Sequence, residues 1–121
     1  MDFEIVDSRP IWQQLTEQLR RRIVTGEYTP GGRLPSVREL AAEAGVNPNT
    51  MQRAMAQLEA EGLVITNRTA GRTVTEDGTV LAQLRLRLAR ERLEEYFRDM
   101  EKLGFDRTEA VRLAEGGKDE I

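Results

Sequence analysis

Asn47, Asn49, Thr50, Gln52 and Arg53 fall within seven consecutive residues. Amides, a hydroxyl and a guanidinium do not make or break bonds by themselves. They present paired hydrogen-bond donors and acceptors, the equipment for reading the edge of another polar molecule. Bond-making chemistry is hard to build elsewhere in the chain. It holds no cysteine and no histidine, which removes thiolate nucleophiles, disulfides, zinc fingers and imidazole acid–base or metal-ligand roles together. The carboxylates fall on helix surfaces or caps, with no nucleophile–base pair and no metal cluster in view. No catalytic residue, metal or cofactor is therefore expected.

The polar cluster needs a scaffold, and the stretch Leu34 to Thr50, LPSVRELAAEAGVNPNT, supplies one. Ser36 followed by Glu39 forms a capping box, in which the serine oxygen accepts from the Glu39 N–H and the glutamate reaches back to the serine N–H. A short helix starts there and ends at Gly45, which tolerates the left-handed conformation. Asn47-Pro48 then restarts a helix, with Asn as N-cap and Pro at the first helical position. Two short helices with a tight turn between them are the layout of a helix-turn-helix. At 100° per residue, Met51, Ala54, Met55 and Leu58 share one face of the second helix. Asn49, Arg53, Ala56 and Ala60 lie opposite, with Thr50, Gln52 and Gln57 on the flanks. A small, amide-rich outer face suits a DNA major groove: Asn or Gln pairs bidentately with adenine, Arg with guanine, and alanine methyls let the helix approach closely. Taken singly, each of these residues is equally an ordinary helix-surface residue. Their place in the N-terminal half of the second helix is what favours base reading. Arg38, just inside the first helix, is placed to clamp a phosphate or reach a base, with a merely solvated arginine as the alternative.

Further elements surround this pair. Asp2 to Asp7 alternates apolar and charged residues, as a short arm or an edge strand would. Ser8 and Pro10 open an amphipathic helix over Pro10 to Thr25, with Ile11, Leu15, Leu19 and Ile23 at every fourth position and Trp12 on a neighbouring stripe. Its Arg20-Arg21-Arg22 run reads as a solvated face near a helix C-terminus, in preference to direct phosphate contact. Tyr28 to Arg33, YTPGGR, is a turn linking this helix to the capped one. Leu63 to Thr66 and Thr73 to Thr75 have strand composition around a polar turn, Asn67 to Arg72. Three helices and a hairpin make a winged helix.

The charge gives no general attraction to nucleic acid. Eighteen Lys and Arg stand against 21 Asp and Glu, a net charge of −3, and residues 1–78 alone carry nine basic and eleven acidic groups. Any affinity for DNA must come from a local patch. The start, MDFEIVDSRP, lacks the features of a signal peptide, and no run approaches the roughly 20 apolar residues that cross a bilayer. A cytoplasmic location and no membrane partner are expected.

Residues 10–66 resemble the N-terminal domain of the GntR family of bacterial transcription regulators. The resemblance rests on Pro10, Gln14, Gly26, Pro30-Gly31, Leu34-Pro35-Ser36, Arg38-Glu39-Leu40-Ala41, Gly45-Val46, Thr50, Ala54, Leu58 and Glu61-Gly62. It implies DNA contacts at Arg38, Asn47, Asn49, Thr50 and Gln52. Pro48 stands at an often basic contact position, and a wing residue is implied to enter the minor groove. The wing departs from the family pattern. In place of a Gly-basic-Gly turn followed by Thr-Phe-Val, this chain has Thr69-Ala70-Gly71-Arg72-Thr73-Val74, which makes Arg68, Gly71 and Arg72 weaker candidates.

The 43 residues after Gly78 are too few to enclose a drug-sized ligand alone and resemble the tail of the short YtrA-like branch. Val80 to Leu103 contains no Gly or Pro and would span roughly 36 Å as a helix. Leu86, Ala89, Leu93, Tyr96, Met100 and Leu103 recur on it at spacings near three and four. Asp106 with Glu109 caps a last short helix before the polar end, GGKDEI. Two such tails can pack as a four-helix dimer core, with Leu86, Leu93, Tyr96, Met100 and Leu103 at the seam, although the long helix could instead fold back on its own domain.

The expected architecture is mainly α with a small β-hairpin wing: a winged helix-turn-helix over residues 1–78 and a two-helix dimerisation tail over 79–121. The function it points to is a homodimeric regulator of transcription, by resemblance a repressor, on a palindromic double-stranded operator. A small-molecule effector is compatible with it, but none is readable. The competing reading is a winged-helix protein-interaction module without specific DNA binding, which the acidic balance also fits.

Overall fold

Both punctuated helices form where their caps place them in the computed structural model, which describes residues 2–117. Helix α2, Val37–Ala44, begins under Ser36, whose Oγ accepts from the Glu39 N–H at 3.1 Å, while Glu39 Oε1 accepts from the Ser36 N–H at 3.2 Å. It ends at Gly45, left-handed at φ 69°, which lets the Val46 N–H reach the Ala41 carbonyl and satisfy an orphan acceptor. Helix α3, Pro48–Ala60, starts at Asn47, whose Oδ1 accepts from the Asn49 N–H at 2.7 Å. Met51, Ala54, Met55 and Leu58 are all fully buried, the face expected from 100° periodicity.

Helix α1, Ile11–Val24, packs against α3 and buries Leu15, Leu19 and Ile23. Ile11 remains 42% exposed, contrary to the four-residue stripe. Four residues advance a helix by 400°, so each step of such a stripe drifts about 40°, and Ile11 has rotated out of the core. The arm at residues 2–7 is not a strand. Glutamine side chains of α1 capture it instead: Gln18 accepts from the Glu4 N–H and donates to the Glu4 carbonyl, and Gln14 does the same with Val6. Two buried amides at i and i+4 thus imitate a neighbouring strand.

The arginine run is also neither a solvated face nor a phosphate site as a whole. Arg20 forms a two-pronged pair with Glu61, at 2.8 and 2.5 Å, across α1 and the end of α3. Arg22 is buried: its Nη1 donates to the Tyr28 hydroxyl and to Glu43, its Nε lies 3.3 Å from Glu27, and the Phe3 ring covers it at 3.9 Å. Burial would lower the Arg22 pKa, but the bonds to Glu43 and Tyr28 outweigh it and hold the charge in place. Only Arg21 is exposed. The internal carboxylates opposite this run could not be seen from one helix.

Strands β1, Val64–Asn67, and β2, Gly71–Val74, form an antiparallel hairpin in the register Val64↔Val74 to Asn67↔Gly71. The turn is tighter than the expected Asn67 to Arg72, because Gly71 adopts φ +74° and brings the chain back after three loop residues, so that Gly71 and Arg72 belong to the strand. The YTPGGR segment does more than connect. Gly31 and, just after the segment, Leu34 donate to the Val74 and Arg72 carbonyls, and Gly32 accepts from Val74, so the segment runs along the free edge of β2. Leu34, Leu40, Leu63, Val64 and Val74 join α1 and α3 in the core.

The chain divides into two compact units, the first ending at Gln83 and the second beginning at Leu84. Helix α4, Gly78–Lys102, begins in the first, where Asp77 Oδ1 accepts from the Thr79 and Val80 N–H groups. In the second unit α4 is joined by α5, Arg107–Ala114, through the expected box: Asp106 Oδ1 accepts from the Glu109 N–H at 2.8 Å and Glu109 Oε1 from the Asp106 N–H at 3.0 Å. The Tyr96 hydroxyl donates to the Ala110 carbonyl at 2.7 Å, and Arg107 bonds Glu94 while lying over the Phe97 ring. Of the expected polar end, Lys118 to Ile121 lies outside the described residues.

Candidate nucleic-acid interface

The N-terminal half of α3 carries its polar residues outward. Asn47, Pro48, Asn49, Gln52 and Arg53 are exposed and Thr50 is half-buried, with Asn49 and Arg53 across the helix from the buried methionines and Thr50 and Gln52 on its flanks. Two of them have internal partners. Asn47 uses its side-chain oxygen as the N-cap, and Arg53 stacks on the half-buried Trp12 ring of α1 at 4.2 Å. A cation–π contact at such a site is worth only about 0.5–1 kcal/mol, so it positions the guanidinium without holding it fast.

Helix α2 and the hairpin face one another across an open groove of about 760 Å³, lined by residues that include Arg33, Ser36, Arg38, Thr66, Gly71 and Arg72. Arg38 is exposed on its wall. Glu39 also lines it, and its bonds with the Ser36 backbone and hydroxyl hold its carboxyl below the ordinary range, so the wall carries acid as well as base. The sequence does not single out Arg33, because it lies inside an apparent turn. Pairing of that segment with Thr73 of β2 exposes Arg33 while the next residue, Leu34, is buried. An in–out alternation beginning after Gly32 was the available signal.

The wing candidates divide. Arg68 is exposed in the hairpin loop, and Gly71 supplies the positive φ. Arg72 is committed within the molecule: its Nε donates to Glu59 Oε1 of α3 at 2.5 Å. The C-terminal end of α3 is thus tied down at Gln57, Glu59 and Glu61, since Gln57 donates to Glu61 and Glu61 holds Arg20. One half of the helix is anchored and the other presented.

In the tail, the expected seam also divides. Leu86, Leu93 and Leu103 are 51%, 50% and 71% exposed, whereas Tyr96 and Met100 are half-buried. No helix among the described residues is long and apolar enough to cross a membrane. No group of three or more acidic residues among them is placed to hold a metal ion.

Residues 12–74 match the family described as bacterial regulatory proteins, gntR family. The chain is 38% identical to the HTH-type transcriptional regulator YhcF of Bacillus subtilis (strain 168), over 97% of this chain and 100% of that one. It is 35% identical to the HTH-type transcriptional repressor YtrA of the same organism, over 82% of this chain and 77% of the relative. Among solved structures it is similar to a GntR family transcriptional regulator from Listeria monocytogenes, with TM-score 0.83 and 37% identity, over 94% of this chain and 100% of that one. These relatives are regulators of transcription and not enzymes. With its exposed α3 half, its hairpin and its short helical tail, the chain belongs to the GntR family of DNA-binding transcription regulators, among the YtrA-like members.

Proposed function

We propose that the chain acts in the cytoplasm as a homodimeric repressor that binds a two-fold-symmetric duplex operator, one α3 helix entering the major groove of each half-site. The observation that carries this reading is the division of α3. Its apolar face is fully buried and its C-terminal half is ion-paired, while Pro48, Asn49, Gln52 and Arg53 stand exposed at the end that reaches base edges. Asn49 and Gln52 offer amide pairs to bases, with Thr50 and Arg53 beside them, and Asn47 and Pro48 set the start of the helix. Arg38 takes backbone phosphate, and Arg68 and Gly71 bring the wing to the minor groove. Residues 1–78 form the reader.

Residues 79–121 form the dimerisation tail, supported by the exposed Leu86, Leu93 and Leu103 and by Tyr96 and Met100 behind them. A repressor role is supported by the relative YtrA, named a transcriptional repressor. Host-genome fragments selected on the protein should share a palindromic element. Asn49→Ala or Arg38→Ala should then weaken binding to the selected fragment by about 1–3 kcal/mol in a mobility-shift titration. Affinity unchanged in both variants would discard the docking, and equal binding of selected and random duplex would turn the reading to a protein-interaction module.

A further inference from the structure

Arg72 lines the same groove as Arg33 and Arg38, yet its Nε is held by Glu59 of α3. Both side chains keep access to water, 23% and 32% exposed, so the pair lies where an outside anion can compete for it. Carboxylates elsewhere in this unit take arginines in the same way: Glu17 takes Arg9, Glu61 takes Arg20, and Glu27 and Glu43 take Arg22. The Glu59 pair differs in that its arginine faces the groove of the interface.

We propose that Glu59 is a selectivity-determining residue: it stands in for a DNA phosphate at Arg72 and so keeps the wing from adding a sequence-independent contact. The inference rests on the reading of this chain as a duplex DNA binder. A phosphate contact strengthens binding to every sequence alike, whereas base contacts from the N-terminal half of α3 strengthen binding to one. Holding Arg72 internally therefore lowers the non-specific background without touching Asn49, Thr50 or Gln52. The same pair ties β2 to α3, so the wing keeps its place while its charge is occupied.

The test uses the full chain, a random-sequence DNA duplex as probe and a salt titration between about 50 and 200 mM, the range over which phosphate contacts separate clearly. Glu59→Gln should bind the random duplex more tightly than wild type. Its plot of log affinity against log salt should be steeper by about 0.9 per bound subunit, a gain that grows about 3.5-fold over a fourfold drop in salt. Arg72→Gln alone should leave the wild-type slope unchanged, and the double variant should return to it. An unchanged slope in Glu59→Gln overturns the proposal. So does a gain that survives in the double variant, which would make Glu59 only a repelling charge. A shallower slope in Arg72→Gln alone also overturns it, since Arg72 would then already touch phosphate. If Glu59→Gln fails to fold, a shallower slope in Arg72→Gln still overturns the proposal, and Glu59→Ala takes the place of Glu59→Gln with the same expected slopes. Selection of genome fragments with wild-type protein, run in parallel, separates the two claims: loss of enrichment sinks the sequence-specific reading, while the random-duplex slopes still judge Glu59.

Discussion

In the unit ending at Gln83, Leu15, Leu19, Leu40, Met51, Met55, Leu58, Leu63, Val64 and Val74 are all at most 2% exposed. In the unit beginning at Leu84, only Leu84 and Ala110 are buried among the described residues, and Leu86, Leu93, Leu103, Val111 and Leu113 are 40–71% exposed. One unit closes its own core, and the other leaves apolar helix faces without internal cover. Such faces are what a second copy would bury, so the difference supports the proposal that the closed unit reads DNA and the open one assembles.

The sharpest way to break that contrast is through the closed core. Leu58 is fully buried at the meeting of α3 with its neighbours, and Leu58→Ala should cost about 3 kcal/mol of unfolding free energy in a denaturant titration. A loss below about 1 kcal/mol would mean that this core is not the well-packed one described. The counterpart in the tail is Leu93→Glu. Half of Leu93 is already in water, so unfolding of the reader should barely change. The dimer dissociation constant in sedimentation equilibrium should instead rise by about 10- to 100-fold, the effect of no longer burying one leucine. A variant that sediments like wild type would remove Leu93 from the seam.

The contrast also shows what was legible in the sequence. Caps are local, and both boxes, Ser36–Glu39 and Asp106–Glu109, form as their spacing dictates. The helical faces of α3 follow from 100° periodicity, which accounts for the exposure of Asn49, Arg53, Ala56 and Ala60. What escaped is non-local charge. Whether an arginine is a ligand contact or a strut depends on which carboxylate the fold brings to it. Arg20 meets Glu61 41 residues away, Arg22 meets Glu43 21 away, and Arg72 meets Glu59 13 away. The edge pairing that exposes Arg33 was hidden for the same reason: backbone partners of an apparent turn lie some 40 residues further on.

A middle-sized effect probes the strut between α1 and α3. Glu61 accepts from Arg20 through both oxygens and from Gln57, with side chains only 18% and 15% exposed across the pair. Glu61→Ala should destabilise the reader by about 2 kcal/mol, as expected for lost bonds to charged groups in a part-buried site. The exposed N-terminal end of α3, proposed to read bases, lies more than two turns away, so binding per folded molecule should change little. A large affinity loss with intact stability would place Glu61 in the interface instead.

The smallest effect separates the two halves of the α2 cap. Ser36→Ala removes the oxygen that accepts from the Glu39 N–H and should cost about 1 kcal/mol at neutral pH. Glu39 answers to pH in a definite direction. Its bonds with the Ser36 backbone and hydroxyl lower its folded pKa below the unfolded one, so its contribution is fully present above the unfolded carboxylate pKa and is lost as pH falls through the folded one. Glu17, lowered chiefly by its bond with Arg9, shifts stability with the same sign, so wild type alone cannot isolate the cap. Glu39→Gln leaves Glu17 in place. The stability gap between it and wild type, read from thermal unfolding at a series of pH values, should close on acidification. A gap that stays constant would show that the Glu39 charge contributes nothing and that the box acts through neutral hydrogen bonds alone.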